Sequence, residues 1–251
     1  MQQLQIEPIR FGLEQHYSGD ERNCAEFRNR VCCQSTQQVS SASRHGGYDP
    51  SEGDWALPEE LPFSAAVFAA GASTRMGTDK AFLRLGDELL IERQLRCLRE
   101  AGAAQVLISG RVGVDYSRFG LTVVHDEHPD CGPLAGLAAI LKATPFQKTL
   151  VLAVDMPAMT PAMLKKIVSL CGDDLGCVPV DDRGFEPLAA AYSKHLLPLA
   201  EELLAAGRHS MQEFVTKAAE RGLVRALQLE PAEQLCFINC NRASDWADFS
   251  S

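Results

Sequence analysis

Between Phe68 and Lys80 the chain reads Phe-Ala-Ala-Gly-Ala-Ser-Thr-Arg-Met-Gly-Thr-Asp-Lys, with glycines at Gly71 and Gly77 and cations at Arg75 and Lys80. Small residues let backbone N–H groups approach a bound group closely, and two cations balance an anion, so the combination suits a phosphate. It is not P-loop spacing, because Lys80 is followed by Ala81 and no glycine stands directly before it. No dinucleotide fingerprint G-x-G-x-x-G is present either. A tight Gly-rich connection that holds no ligand is the competing reading. Asp155 is the second residue of interest: it follows the apolar run Thr149–Val154 and precedes Met156-Pro157. A carboxylate at the exit of a buried strand suits magnesium, which keeps several waters and takes one or two protein oxygens plus substrate phosphates. The alternative is a carboxylate that only braces its turn. Asn239 or Asn241 offers a second oxygen, although asparagine at such a place also serves as an ordinary turn residue.

These residues need a scaffold that brings strand ends together, and the sequence predicts one. The apolar run before the Gly-rich stretch reads as a buried parallel strand. Glu88 to Ala101 carries a helical stripe of Leu90, Ile91, Leu95 and Leu98, stopped by Gly102. Strands are expected at Gln105–Ser109, Leu121–Val124, Thr149–Val154, Gly176–Val180 and Pro187–Tyr192, and a short one at Cys236–Ile238. Helices are expected at Pro133–Ala143, from Pro161 to about Cys171 with Thr160 as cap, and at Ser193–Ala206, Ser210–Arg221 and Ser244–Phe249. Strands alternating with helices predict an α/β fold: one Rossmann-like three-layer domain with a mainly parallel sheet covered on both faces. In such a sheet ligands sit beyond the carboxyl ends of the strands, where Asp155 lies.

The chain has 251 residues, enough for one such domain, and 46% hydrophobic content. Its formal net charge of −9 argues against a nucleic-acid partner, which needs a basic face. No apolar run reaches the length of a membrane span, and the N-terminus has no secretory core. Nine scattered cysteines without a C-x-x-C pair fit reduced thiols and a cytoplasmic location. A zinc site from Cys236, Cys240 and a distant histidine is a weak match to zinc spacing. Residues 1–60, dense in Gln, Ser, Arg and Asn, read as a disordered N-terminal extension to a domain at 61–251. A partner-binding arm around Ile6–Phe11, or an upstream translation artefact, are the other readings of that stretch.

The pattern Ala-Ala-Gly-x-Ser-x-Arg-Met-Gly-x-Asp-Lys at Ala69–Lys80 resembles that of MobA-like nucleotidyltransferases. Further parts follow in the family's order: Asp126, Gly132-Pro133-Leu134-Ala135-Gly136, Val154-Asp155-Met156-Pro157, Glu186-Pro187-Leu188-Ala189-Ala190-Ala191-Tyr192 and Asn239-Cys240-Asn241. Within the superfamily, Gly-Pro-Leu-Ala-Gly and the Asn-x-Asn ending most resemble the molybdenum cofactor guanylyltransferases. That resemblance implies transfer of GMP from GTP to the phosphate of molybdopterin, with release of pyrophosphate. It implies Ala69, Ala70 and Gly71 at the nucleotide, Arg75 and Lys80 on its phosphates, and Asp155 on Mg2+. It also implies Asp126 and Gly132 to Gly136 beside the nucleoside, and Asn239 and Asn241 on the metal or pterin side. Transient contact with proteins that supply molybdopterin or receive the cofactor would follow. Ionised acceptor phosphate needs no protein general base, and His125 and His128 read as surface or structural residues.

Two departures bear on the base. Guanylyltransferases usually read Leu-Ala-Gly-Gly where this chain has Phe68-Ala69-Ala70-Gly71, a form nearer the related cytidylyltransferases. Ser109-Gly110-Arg111 stands where the family commonly has Asn before Arg. A molybdopterin cytidylyltransferase or sugar-phosphate nucleotidyltransferase of the same fold is therefore the neighbouring reading. An accessory protein that only binds nucleotide or pterin is the non-enzymatic one.

Overall fold

The computed structural model describes residues 61–69, 80–128 and 131–240. The expected disorder of residues 1–60, most of the Gly-rich loop (Ala70, Gly71 and Arg75 included), Asn241 and the helical turn at Ser244–Phe249 lie outside the described residues.

In chain order the elements are β1 (Ser64–Phe68), β2 (Arg84–Leu85), β3 (Glu88–Leu89), α1 (Leu90–Glu100), β4 (Gln105–Ser109), β5 (Thr122–Val124) and α2 (Gly132–Ala143). Then come β6 (Lys148–Ala153), α3 (Pro161–Ser169), β7 (Gly176–Asp181), β8 (Gly184–Phe185), β9 (Ala189–Ser193), α4 (Leu197–Ala205), α5 (Met211–Glu220), β10 (Val224–Gln228) and α6 (Pro231–Gln234). The main sheet has the order β10-β7-β9-β6-β1-β4-β5, with β8 paired to β7. β1 runs parallel to both β4 and β6, β4 to β5, and β7 to β10. β9 is antiparallel to β6 and β7, so the sheet is mixed but mostly parallel.

Strand β1 shows why both faces must be covered. Its alternate residues Ala65 and Val67 join one apolar cluster with Leu90, Ile91, Leu95 and Leu98 of α1 and Leu164 and Ile167 of α3. Ala66 and Phe68 point the other way, into a cluster with Leu134 and Leu137 of α2, Leu199 and Leu203 of α4, and Phe214 and Val215 of α5. Burial of one such leucine or phenylalanine contributes about 1.5–3 kcal/mol. β1 therefore sits in the middle of a three-layer core, as its unbroken apolar run requires. The predicted cap is in place: Thr160 Oγ1 accepts from the Met163 amide at 3.2 Å, with Pro161 in the first turn.

Local departures have local causes. Glu88 and Leu89 are not helical but pair with Arg84 and Leu85 around a two-residue turn at Gly86-Asp87, where Gly86 has φ +61°. Residues 235–237 form a 3₁₀ turn instead of the expected strand Cys236–Ile238. Helix α6, opened by Pro231 and boxed by Glu230 and Glu233, runs straight into that turn. Edge strand β10 is not foreshadowed by an apolar run, because Arg225 and Ala226 face solvent.

Candidate nucleotide site at the carboxyl ends of the strands

The neighbouring ends of β6, β1 and β4 are tied by the backbone itself. The Val154 amide donates to the Phe68 carbonyl at 3.2 Å, and the Ala69 amide donates to the Ser109 carbonyl at 3.0 Å. Beyond this line the chain leaves β1 into the Gly-rich stretch and returns at a 3₁₀ turn, Lys80–Phe82. Ala81 of that turn is fully buried, which anchors Lys80 at the rim. Lys80 Nζ then donates to Asp155 Oδ2 at 3.3 Å, with side chains 18% and 24% exposed. The pair is half-buried, yet both groups keep an opening to solvent through which an anion or a cation can reach them. Phe82 braces the same turn by stacking on Tyr116 at 5.8 Å and on Phe119 at 6.3 Å.

Asp155 leaves β6 in a turn whose backbone is held by distant segments. Its carbonyl accepts the Cys240 amide at 2.9 Å, which brings exposed Asn239 and buried Cys240 beside it. The Leu188 carbonyl accepts the Ala153 amide at 2.7 Å, which brings the Glu186-Pro187-Leu188 turn alongside. Burial raises the Glu186 carboxyl above the ordinary glutamate range, Arg183 pulls it down, and the charges of Asp181 and Asp155 raise it further. The residue types around Glu186 signal no chemical role, and only its place in the family pattern marks it.

Among the described residues no three His, Cys, Asp or Glu side chains gather as a metal cage. Asp155 and the adjacent Asn239 are hard oxygen donors, and that sparse set suits an ion that draws its other ligands from water and phosphate. Burial pushes the Cys97 and Cys171 thiols up to about 12 and that of Cys177 to about 11, so these three stay protonated and are poor metal ligands.

The remaining sequence-predicted residues divide between neighbouring strand ends. Ala69 is buried at the exit of β1. Asp126 follows edge strand β5, two strands from β1, so roughly 10 Å separate it from that strand. Gly132, at φ +70°, opens α2 in a conformation that costs other residues strain. Gly136 has a packing explanation: a Cβ there would lie 2.8 Å from Ser109 Oγ and 3.2 Å from the Phe68 ring. Gly110 has one too, since its Cβ would lie 2.7 Å from both Tyr116 and Val123. Tyr116 and Val123 thus take up the room that a side chain at position 110 would need. His125 closes the same corner, its Nδ1 donating to the Gly110 carbonyl at 3.1 Å.

Strand ends, cradle lysine and exit carboxylate fall inside a match to the MobA-like NTP transferase domain over residues 65–222. The chain belongs to this family. A protein from Opitutus terrae named probable molybdenum cofactor guanylyltransferase is 42% identical over 185 residues, covering 72% of this chain and 92% of its own. The molybdenum cofactor guanylyltransferase of Xanthomonas euvesicatoria is 33% identical over 198 residues, covering 75% of this chain and 94% of its own. Among solved structures, molybdopterin-guanine dinucleotide biosynthesis protein A from Archaeoglobus fulgidus shares the fold with a TM-score of 0.58 at 24% identity, over 74% of this chain and 95% of that one. In this MobA-like chain, Lys80, Asp155, Asn239 and the Glu186 turn come together around the β1 and β6 ends. Asp126 and Gly132 stand to one side, toward β5.

Proposed function

We infer that this MobA-like transferase is a molybdenum cofactor guanylyltransferase: it moves GMP from GTP onto the phosphate of molybdopterin and releases pyrophosphate. The observation that carries the reading is the Lys80–Asp155 pair at the β1 and β6 ends, 3.3 Å apart, where the parallel strands deliver a ligand. Two relatives bearing that name, at 42% and 33% identity, support the choice of substrates.

An oxygen of the acceptor phosphate attacks the α-phosphorus in line while the bond to the bridging oxygen of pyrophosphate breaks. The acceptor is already ionised near neutral pH, so no side chain needs to remove a proton. The protein positions the two phosphates and balances charge. Lys80, with Arg75 from the loop, binds the triphosphate. Asp155, joined by Asn239 or Asn241, would hold Mg2+, which when bound supplies charge neutralisation at the triphosphate. Ala69, Ala70 and Gly71 are assigned to the nucleotide, and Asp126 and Gly132 to Gly136 border the nucleoside.

Binding tests the reading first. A ligand held only by the folded state adds about 2.7 kcal/mol at a hundred times its dissociation constant. With Mg2+, GTP is expected to raise Tm more than CTP, UTP or ATP. The Ala69-Ala70-Gly71 loop favours one second reading, a cytidylyltransferase, and a larger shift with CTP would select it.

A further inference from the structure

We infer that Gln94, with Arg93 beside it, is the positioning residue for Asp155: helix α1 grips the carbonyls around that carboxylate and fixes where it points. Gln94 lies on the buried stripe of α1 among Leu90, Ile91, Leu95 and Leu98, and is 1% exposed. An amide in such a place is unfavourable unless it is paired. Its Nε2 donates to the Met156 carbonyl at 2.7 Å and lies 3.5 Å from the Val154 carbonyl. These are the carbonyls of the two residues flanking Asp155.

One residue earlier, Arg93 Nε donates to the Pro157 carbonyl at 2.6 Å. One turn on, Cys97 Sγ meets the Met159 carbonyl at 3.6 Å. Residues 154–159 have left the sheet; within the turn the Met156 carbonyl also accepts the Met159 amide at 3.2 Å, and α1 supplies the further donors to the turn's carbonyls. The Cys240 amide takes the Asp155 carbonyl at 2.9 Å, so the turn is gripped from both sides.

Packing alone does not explain Gln94. Its Oε1 is buried with no hydrogen-bond partner among the described residues, a penalty that methionine or leucine would avoid at similar volume. What the amide offers over an apolar side chain is its nitrogen, which donates to the Met156 carbonyl and approaches that of Val154. Because a shift of about 1 Å in a reacting group costs on the order of 100-fold in rate, a turn held this firmly matters to transfer.

The inference rests on reading Asp155 as the metal-side carboxylate. The test uses the full-length protein with Gln94→Met, which removes the donor at similar volume, and Arg93→Met at a half-buried position less critical for folding. Phe214→Leu, in the opposite apolar cluster, serves as the control for lost stability. Turnover with GTP and molybdopterin, Mn2+ binding in the presence of GTP by electron paramagnetic resonance, and amide exchange across 154–159 are measured together.

Both α1 variants are expected to lose kcat by about tenfold or more with KM for GTP within about twofold, and to bind Mn2+ more weakly. If Gln94→Met does not fold, Arg93→Met decides the matter by the same measurements. Wild-type kcat and Mn2+ affinity in the folded variants would overturn the inference. So would losses that merely follow Tm, as in Phe214→Leu. If Asp155→Asn binds Mn2+ as the wild type does, the metal reading falls by itself, and exchange then decides. Faster exchange confined to 154–159 in Gln94→Met, with no matching change there in Phe214→Leu, upholds the positioning role, and exchange that is unchanged or faster throughout the fold overturns it.

Discussion

Lys80 and Asp155 are 75 positions apart in sequence and 3.3 Å apart in the fold, and both remain partly open to solvent. Their roles separate by substitution. Asp155→Ala is expected to reduce kcat by about 100-fold or more while leaving the protein folded. Lys80→Met is expected to raise KM for GTP by about 10- to 100-fold, the equivalent of one or two charge-assisted hydrogen bonds. Steady-state kinetics check both, and a Lys80→Met enzyme with unchanged KM would remove Lys80 from the phosphates. Gly110→Ala is expected to cost about 1–3 kcal/mol in chemical denaturation, since the new methyl would sit 2.7 Å from Tyr116. Residue types reveal Lys80 and Asp155, because a cation after small residues and a carboxylate after an apolar run carry their chemistry openly. Gln94 is less visible: only an amide on an apolar stripe hints at it. Glu186 acquires its character from burial and the charges of Arg183, Asp181 and Asp155, which no local spacing encodes.

At the level of elements, the legible ones are those whose apolar pattern is continuous or periodic. The runs of β1 and β6 and the stripe of α1 are buried where the pattern demands, and Thr160 caps α3 as its type predicts. The hairpin at Arg84–Leu89 and edge strand β10 are not legible, being short or half-exposed, with sheet pairing deciding their state. The turn at residues 235–237 departs from expectation for a related reason: Cys-Phe-Ile is apolar enough for a strand, but the helix opened by Pro231 sets its direction. Thr160→Ala should cost about 1 kcal/mol of stability through loss of its bond to the Met163 amide. Leu98→Ala, at a fully buried position of α1, should cost about 2–5 kcal/mol. Urea denaturation checks both, and a larger loss from Thr160→Ala than from Leu98→Ala would contradict the packing described for α1.

For the molecule as a whole, the doubly covered sheet is legible from alternating strand and helix patterns, whereas the antiparallel insertion of β9 is not, since strand direction depends on the path of the chain. Stability should vary with pH through Glu186, whose ionised form is disfavoured by burial in the fold. The sign follows from its raised value: its stabilising contribution is full below 4.5, the ordinary value, and is lost as pH rises through the folded-state value. Glu186→Gln should therefore gain Tm relative to the wild type on going from pH 4 to pH 7, and a pH-independent difference would contradict this. Guanylyl transfer at the Lys80–Asp155 site is probed most directly by following pyrophosphate release from GTP with Mg2+ and molybdopterin, against CTP in parallel. Release is expected to require molybdopterin, to favour GTP and to fall by about 100-fold or more in Asp155→Ala. Preferential use of CTP, or release at a near wild-type rate in Asp155→Ala, would contradict that assignment.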